Sequence, residues 1–516
     1  MPIRGIETIK KSSLNTWIAK AQVSVLKDSI LAIDGFWFLR KYVVTGNMSD
    51  FFISKCDERF LAPVLRLIKM SNLSKIQILF VWDGLDFEKP ISNSKTTDFD
   101  KLKTGFEAYK KNEEKICNQN WKHLLDFEDV VSPINKLLKQ FGHDAVRAPY
   151  SATAQIAYFL QNNMCNYGFC KSDALIFEGV EKIITDFHLE NSEHFMFTAF
   201  NKKNFMKAFE LTNQNFRILA FALGCEFCPT IPEYADNFIP ENIITIVKTR
   251  DFDNYLEELS KNNPIYLKYI NSFYTAFVLI DFHPVMKEEG KVSFFKNSEV
   301  VPSDFTNIFG KRLSDKFYKL LFNCKNIVKI LEKIKKNEVK FLEKNISYKL
   351  LTNQNPDKSD LQTLLVKDLK ISDKIPKSIQ VLYYYLITEN IVKEKCLDKL
   401  ICTSNLEENM IMSQNVPEKD FDYSQIEFVY KCNKIIRQLK ETKEVYEIVS
   451  PTGDTNDLNF DFNIFLFPIL YYNKNKENLN DNGTKYLLNF IEGIKDHIEL
   501  NAEINESYKK TFQDIK

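Results

Sequence analysis

The sequence predicts an α/β fold with a mostly parallel central sheet flanked by helices, followed by a mainly helical C-terminal region. Two apolar runs, residues 29–35 and 75–84, each end in an aspartate followed by a glycine. Continuous apolar runs of this kind are typical of strands covered on both faces. The roughly forty residues between them suit a helical crossover, so the strands should be parallel, with Asp34 and Asp83 side by side at one sheet edge.

A third predicted strand leads into the segment around which the fold is arranged. Residues 143–148 form a short β-type run that breaks at Pro149, and small residues from Ala152 onwards begin a helix. The first turn of that helix therefore lies at the carboxyl end of a strand. An α/β sheet binds its ligand at that edge.

The other elements alternate in type along the chain. Helical patterns and strand-like patterns are separated by polar breaks, and residues 243–247 fit either a strand or the start of a helix. Helices are predicted at 7–28, 37–70, 132–141, 154–163, 202–211, 215–224, 307–344 and 422–444. Further strands are predicted at 167–177, which includes a turn, and at 195–200.

The two strand-end aspartates have a simpler explanation when each is taken alone. An aspartate after a strand is often a helix cap or turn residue, and Asp-Gly is a common turn dipeptide. As a pair at neighbouring strand ends, Asp34 and Asp83 favour a shared acidic site.

Length and charge limit the possible organisation. The 516 residues predict three domains, at 1–240, 241–352 and 353–516, with the last boundary at a polar break. Because 69 basic residues balance 69 acidic ones, the whole molecule is not attracted to nucleic acid, and any polyanion site must be a local patch.

The apolar runs are too short to cross a bilayer and the N-terminus does not resemble a signal peptide, so a soluble cytoplasmic protein with no membrane contact is expected. The ten cysteines lie mostly in apolar segments and are expected to be reduced. Cys225 and Cys228 have metal-ligand spacing, but without a second such pair a buried structural role is favoured.

Lysines recur along two predicted helical stretches. The stretch at 101–122 is explained most simply as a solvated helix face. The later one alternates apolar residues with lysines, and an amphipathic helix with a basic outer face explains it most simply. Contact with an RNA backbone is the alternative there, through Lys325, Lys329, Lys333, Lys336 and Lys340.

Residues 1–240 resemble the XPG/flap-endonuclease superfamily of PIN-like nucleases and, within it, the MKT (maintenance of killer) family of cytoplasmic post-transcriptional regulators. The resemblance lies in the order and spacing of six short motifs. They are residues 1–6, 32–34, 80–84, the Ala-Pro-x-x-Ala-x-Ala-Gln run at 148–155, 173–177 and 222–226.

The resemblance implies a site in which about seven carboxylates hold two magnesium ions, since divalent cations close together require surrounding anions. Four matching positions keep an acid: Asp34, Asp83, Asp173 and Glu226. Three do not: Ser151, Thr153 and Lys171. The added ammonium would repel a divalent ion, so two-metal hydrolysis is predicted to be lost and no cofactor is expected. A single magnesium at Asp34 and Asp83 remains the alternative.

A second departure follows the last acidic position. Active relatives grip duplex DNA there through a glycine-rich helix-hairpin-helix, whereas residues 229–237 contain two prolines and no glycine. Prolines remove backbone donors, so duplex DNA is not an expected ligand.

The resemblance therefore implies a non-catalytic scaffold in mRNA–protein complexes that control translation or mRNA stability. Expected partners are an ataxin-2-type protein, bound by the C-terminal region in relatives, other mRNA-binding proteins and RNA. The rival hypothesis is an active structure-specific nuclease that works from the reduced acidic set. A nucleic-acid-binding module is the third.

Overall fold

The fold is seen in a computed structural model. It describes residues 2–9, 16–43, 58–88, 98–111, 113–121, 128–189, 195–287, 290–296, 305–338, 345–352, 361, 364, 380–381, 384–385, 388 and 423–450. Predictions on the remaining residues, including Lys122 and Lys340, lie outside this part of the chain.

The chain divides into two compact units. Unit 1 comprises Met1–Val44, Glu58–Lys95 and Val130–Lys336, and unit 2 comprises Thr45–Asp57, Thr96–Asp129 and Asn337–Lys516. The first unit extends past residue 240, while the predicted boundaries at 240 and 352 stay predictions.

Unit 1 contains all nine described strands. They are β1 (Ile18–Gln22), β2 (Ile30–Asp34), β3 (Gln77–Trp82), β4 (Asp144–Arg147), β5 (Tyr167–Phe169), β6 (Lys182–His188), β7 (Met196–Asn201), β8 (Pro284–Met286) and β9 (Val292–Phe294).

The described helices alternate with these strands and then continue beyond them. They are α1 (Gly35–Tyr42), α2 (Glu58–Ser74), α3 (Asp98–Lys110), α4 (Glu114–Trp121), α5 (Glu128–Gln140), α6 (Ala152–Gln161), α7 (Lys202–Phe209), α8 (Asn213–Leu223), α9 (Pro240–Thr249), α10 (Phe252–Asn262), α11 (Ile265–Asp281), α12 (Phe305–Phe309), α13 (Asp315–Phe322), α14 (Val328–Lys335), α15 (Ile346–Thr352) and α16 (Tyr423–Val449). No described helix is long and apolar enough to cross a membrane.

The main sheet has seven strands in the order β1-β7-β6-β5-β2-β3-β4. Strands β6, β5, β2, β3 and β4 are parallel, whereas β7 is antiparallel to both β6 and β1. The chain moves outwards in one direction from β2 to β4 and in the other from β5 to β6. The topological switch point therefore lies between β2 and β5, and the carboxyl ends there form the usual ligand crevice. The predicted α/β class with a mostly parallel sheet is confirmed.

The core explains why the apolar runs form central strands. Leu31, Ala32 and Ile33 of β2 are fully buried, as is Phe80 of β3. The Phe38 ring of α1 packs edge-on against Phe80, with ring centroids 5.8 Å apart. A strand with apolar side chains on both faces buries the most apolar surface when helices cover both sides of the sheet.

Three sequence predictions about elements were wrong. The described residues 16–28 contain no α-helix: Ile18–Gln22 is a strand, since it pairs with β7 while Trp17 packs on Phe205 and Phe209, and Val23–Leu26 is a 3₁₀ turn. Strand β6 was missed. The long helix predicted at 307–344 is three short ones, with Cys324 in a left-handed conformation (φ 58°) between α13 and α14.

Unit 2 is helical in its described part. Helix α15 packs against α16, and α3 packs against α4. The buried Thr442 hydroxyl of α16 lies 3.2 Å from Ser347 Oγ and 2.7 Å from the Tyr385 hydroxyl. The predicted helix at 422–444 is confirmed as Tyr423–Val449. On α3 and α4, Lys103 and Lys115 are exposed, which fits a solvated face.

Candidate functional site

The acidic residues predicted from the sequence lie at the carboxyl edge of the parallel strands. Asp34 is the last residue of β2, and its Oδ1 accepts a hydrogen bond from the Trp37 amide at 2.9 Å, which caps helix α1. Asp83 follows β3 directly, and its Oδ1 accepts from the Ala152 amide at 2.8 Å. The capping explanation therefore holds, and a shared acidic site at Asp34 and Asp83 stays a prediction.

Gly84 explains why an Asp-Gly pair ends β3. A Cβ atom at Gly84 would lie 2.0 Å from the Ala148 carbonyl oxygen, so no larger residue fits there. The Gly84 amide donates to the Tyr150 carbonyl at 2.6 Å. This close approach brings Asp83 to the first turn of α6.

The other two carboxylates come from beyond the switch point. Asp173 lies in a 3₁₀ turn, Ser172–Ile176, just after β5. Glu226 follows Gly224, which ends α8 with a φ of +95°. The Ser172 hydroxyl accepts a hydrogen bond from the Ile3 amide at 2.9 Å, so the N-terminal segment also lies beside the site.

A cation lies inside this group. The Lys171 Nζ donates to Glu226 Oε2 at 2.8 Å, and the side chains are 5% and 6% exposed. Burial opposes the charged form of Lys171, but Glu226, Asp83 and Asp34 together raise the pKa of the ammonium above its ordinary 10.5. Lys171 therefore remains charged and neutralises Glu226.

Lys171 keeps its charge, whereas burial favours the uncharged forms of the Asp34 and Asp173 carboxyls. Burial, reinforced by the charge of Asp83, raises the pKa of Asp34 from 3.8 to about 7. Burial, reinforced by Glu226, raises the pKa of Asp173 from 3.8 to about 7 as well. The charge of Lys171 and a hydrogen bond from the Glu226 backbone act against this rise in the pKa of Asp173. Both acids are therefore partly protonated near neutral pH, which lowers the negative charge of the site.

The neutral replacements face the same cluster. The Thr153 hydroxyl lies 3.4 Å from Asp34 Oδ2, as a donor, and the Thr153 side chain is fully buried. Ser151 is 3% exposed, and its hydroxyl has no hydrogen-bonding partner among the described residues. Neither residue supplies the negative charge that the matching glutamates would carry.

A later part of the chain lies over the start of α6. We refer to residues 282–287, 290–296 and 305–335 as the covering segment. Its fully buried His283 accepts a hydrogen bond from the Ser151 amide at its Nε2, at 3.4 Å. The second ring nitrogen, Nδ1, then carries the proton and donates to the Leu279 carbonyl at 3.2 Å.

Aromatic side chains surround this imidazole. The rings of Phe87 and Phe309 each lie edge-on, with centroids 5.3 Å from that of His283. The Tyr150 hydroxyl donates to the Phe309 carbonyl at 3.1 Å and lies 3.2 Å from the Tyr318 hydroxyl. The first turn of α6 is consequently sealed by an apolar layer.

Two further contacts fix the covering segment. The Gln155 side-chain amide pairs with the backbone of Met286 in both directions, at 2.8 and 2.9 Å. The Lys335 ammonium bonds to the Asp86 carbonyl and forms an ion pair with Glu332 at 3.2 Å. This part of the chain, from β8 to α14, therefore holds both α6 and the residues after β3.

The donor set does not suit a pair of divalent ions. Within the described ranges, no three His, Cys, Asp or Glu side chains are grouped so that they could hold a metal. Asp34 Oδ1 and Asp83 Oδ1 already accept backbone hydrogen bonds, and an ion near Glu226 would meet the Lys171 charge. A single magnesium at Asp34 and Asp83 stays a prediction.

The remaining candidate residues are the lysines of the later helical stretch, the two cysteines and residues 229–237. Lys325 and Lys333 are half-buried, Lys329 and Lys336 are exposed, and Lys340 lies outside the described residues. Their contact with RNA stays a prediction. Cys225 and Cys228 are buried free thiols, in agreement with a structural role. Residues 229–237 form one 3₁₀ turn, Pro232–Tyr234, in place of a helix pair.

Sequence comparison identifies similar proteins. No family model matches the chain. The post-transcriptional regulator MKT1 of Cryptococcus neoformans is 23% identical over 350 residues, which cover 62% of this chain and 44% of that protein. Over more than half of its length, the chain is therefore similar to an MKT-type post-transcriptional regulator.

The chain is also similar to a flap endonuclease. Flap endonuclease 1 of Theileria annulata is 24% identical over 281 residues, 50% of this chain and 54% of that protein. The chain thus spans about half the length, or less, of these relatives.

Similar solved structures include the catalytic core of Rad2 in complex with DNA substrate, at 16% identity, covering 62% of this chain and 98% of that chain, with a TM-score of 0.37. Flap endonuclease-1 from Methanococcus jannaschii, at 16% identity, covers 64% and 100% with a TM-score of 0.35.

Sequence reasoning missed the residues of the covering segment. Nothing in the local sequence of His283 links it to Ser151, 132 positions away. The phenylalanines and tyrosines around it are typical core residues. Only the tertiary fold brings them to the start of α6.

Proposed function

We propose that unit 1 is a non-catalytic PIN-like domain that serves as a scaffold. The Lys171–Glu226 ion pair is the observation that carries this proposal, because it places a buried cation among the carboxylates that would hold metal ions. Two-metal phosphodiester hydrolysis needs anions that converge on both ions. Here one carboxylate is neutralised by lysine and two others have a pKa raised to about 7.

The covering segment supports the same proposal independently. A substrate phosphate would have to reach the first turn of α6, where Ser151 is 3% exposed and its amide is bonded to His283. Asp34 and Asp173 have no exposed surface at all. A closed face of this kind suits packing and recognition better than turnover of a polymer.

The biological role that fits is post-transcriptional regulation. The MKT1 relative is named as such a regulator. We infer that this chain acts in the cytoplasm, in mRNA–protein complexes that control translation or mRNA stability. An ataxin-2-type protein is the partner that we propose for its C-terminal region.

A cleavage assay tests the proposal. The purified full chain is incubated with single-stranded RNA and with flap DNA, in magnesium or in manganese. We expect no cleavage above that of the Asp34→Ala and Asp83→Ala variants, while the full chain still captures an ataxin-2-type protein. Cleavage that either substitution abolishes would show an active nuclease with a reduced acidic set.

A further inference from the structure

One edge of the seven-stranded sheet is open to solvent. Strand β1 lies at the end of the described strand order, and within the sheet it pairs with β7. Three of its five residues, Ala19, Lys20 and Gln22, are exposed. The strand at the opposite edge, β4, has one exposed residue in four and packs against α13. The β1 edge is therefore the more accessible of the two.

The register of β1 on β7 decides which backbone groups of β1 point away from the sheet. The Trp17 carbonyl accepts a hydrogen bond from the Asn201 amide at 2.8 Å, and the Val23 amide donates to the Phe195 carbonyl at 2.9 Å. Backbone bonding to one neighbour alternates along an antiparallel strand. The odd-numbered residues of β1 therefore bond to β7, and the even-numbered residues direct their backbone groups outwards.

These outward groups form a short row of donors and acceptors. Ile18 and Lys20 each offer an N–H and a C=O. Gln22 offers its N–H, because its carbonyl stands at the start of the 3₁₀ turn Val23–Leu26 and accepts the first bond of that turn. No residue that the structure describes forms a hydrogen bond with the outward groups. An unpaired row of this kind is a template to which an extended peptide adds as a further strand.

The side chains of β1 leave this edge largely unobstructed. Proteins commonly block an edge strand with a proline, a bulge or charged side chains. Strand β1 contains no proline, and its register with β7 is continuous over all five residues. Its odd-numbered residues, Ala19 and Ala21, are small. Lys20 is the one charged residue, so it has the largest influence on what can pair there.

Lys20 favours an acidic residue in an added strand. Its neighbour across β7 is the neutral Thr198, and the next residue across the sheet, Asp186, is already paired with Lys41 at 3.1 Å. Lys20 is exposed and has no ion pair within the described ranges. The residue opposite Lys20 in an added strand would lie about 5 Å away on the same face, where an acid is attracted and a base is repelled.

A second copy of this chain is a poorer occupant of the edge. Antiparallel pairing of all five residues of β1 with their own copy would place Ile18 opposite Gln22 and Lys20 opposite Lys20. Like charges directly opposite each other destabilise a strand pair. A register shifted by two residues avoids this contact, but it pairs only residues 18–20 or only residues 20–22 of the strand.

We propose that the outer edge of β1 binds an extended segment of a partner protein, antiparallel to β1, with a glutamate or aspartate opposite Lys20. The segment extends the sheet through main-chain hydrogen bonds to Ile18, Lys20 and Gln22. The inference deepens the proposed scaffold role and rests on it for its biological meaning, since it gives the scaffold a docking edge.

Fluorescence anisotropy with labelled synthetic peptides tests the edge in the full chain. The probe is Thr-Val-Thr-Glu-Thr-Val-Thr, whose glutamate and two valines direct their amides towards β1 when the glutamate lies opposite Lys20. N-methylation of these three amides should weaken binding at least roughly tenfold. The matched control is N-methylation of the two threonines beside the glutamate, whose amides point away from β1. It should cost less than about threefold.

A charge reversal in the protein tests the role of Lys20. We expect Lys20→Glu to bind the probe about fivefold more weakly, and to bind a peptide with lysine in place of the glutamate more tightly than the wild type does. Lys69→Glu is the matched control, because Lys69 is exposed on α2, away from β1 in sequence. It should leave the affinity for both peptides unchanged.

Three results would overturn the inference. The first is no binding of the probe at concentrations up to about 1 mM. The second is equal binding of the two N-methylated peptides, or an effect of Lys20→Glu no larger than that of Lys69→Glu. The third is a wild-type dimer in sedimentation that Lys20→Pro dissociates, since this proline removes an outward amide only. That result would assign the edge to a second copy. Failure of the scaffold role itself appears separately, as metal-dependent cleavage of nucleic acid.

Discussion

Lys171 is the residue that most changes the electrostatics of the acidic cluster. A lysine at a position where the superfamily has a carboxylate changes the local charge by two. It lies 2.8 Å from Glu226 and is 5% exposed, so solvent screens it weakly. Each charge of the Lys171–Glu226 pair compensates the other in the folded protein. Removal of either one would leave a buried charge without its partner.

Removal of this cation should destabilise the fold. Lys171→Met leaves the Glu226 carboxylate buried without its partner, and we expect the free energy of unfolding to fall by about 3–5 kcal/mol. Urea denaturation measures the change. In the Lys171→Met/Glu226→Gln double variant most of the loss should be recovered. A single variant within about 1 kcal/mol of the wild type would show that the pair is not coupled as described.

The buried carboxyls Asp34 and Asp173 predict a pH dependence. Their pKa values rise from 3.8 to about 7 on folding, so the folded state holds protons that the unfolded state releases. Their contribution to stability is complete below about pH 4 and is lost as the pH rises through about 7. Asp34→Asn or Asp173→Asn, which mimics the protonated form, should reduce this loss by on the order of 2–4 kcal/mol.

Urea denaturation at about pH 4.5 and about pH 7.5 measures the effect. Asp236→Asn, at an exposed position, is the control and should leave the pH dependence of stability unchanged. Equal pH dependence in the wild type and both buried-site variants would contradict the raised pKa values.

Among the elements, the parallel strands were predictable and the covering segment was not. The runs that became β2 and β3 are mostly apolar and each end in Asp-Gly, so their type and pairing follow from sequence. The positions of Asp34, Asp83, Asp173 and Glu226 followed from the motifs. Strand β1 was missed because its five residues form a strand by pairing with β7, which lies nearly 180 residues later in the chain.

The covering segment depends on contacts of the same long-range kind. His283 reaches Ser151, and Tyr318 reaches Tyr150, across 132 and 168 positions. Periodicity reports which side of a helix is apolar, but it does not report which element will cover it. The closure of the first turn of α6 could therefore be read only from the fold.

His283 gives a direct test of that closure. His283→Ala removes the acceptor of the Ser151 amide and leaves a cavity among Phe87 and Phe309, so we expect a loss of roughly 2–4 kcal/mol in the free energy of unfolding. Thermal and urea denaturation measure it. His188→Ala, at an exposed position, should cost less than about 0.5 kcal/mol. A variant as stable as that control would mean that the imidazole does not hold the segment in place.

At the scale of the whole molecule, the net charge is zero, and Lys171 neutralises part of the acidic cluster. Such a protein interacts with charged partners through local patches and not through its overall charge. Unit 1 keeps the strand order and switch point of a ligand-binding α/β sheet, yet its crevice is filled by the chain itself. The proposed scaffold role is consistent with both features.

The central claim is that this crevice cannot hold two divalent ions. Crystals soaked in manganese, examined by anomalous diffraction, test it most directly. We predict no pair of anomalous peaks among Asp34, Asp83, Asp173 and Glu226. Two peaks about 4 Å apart bridged by these carboxylates would contradict the account, since they would restore the geometry of two-metal catalysis.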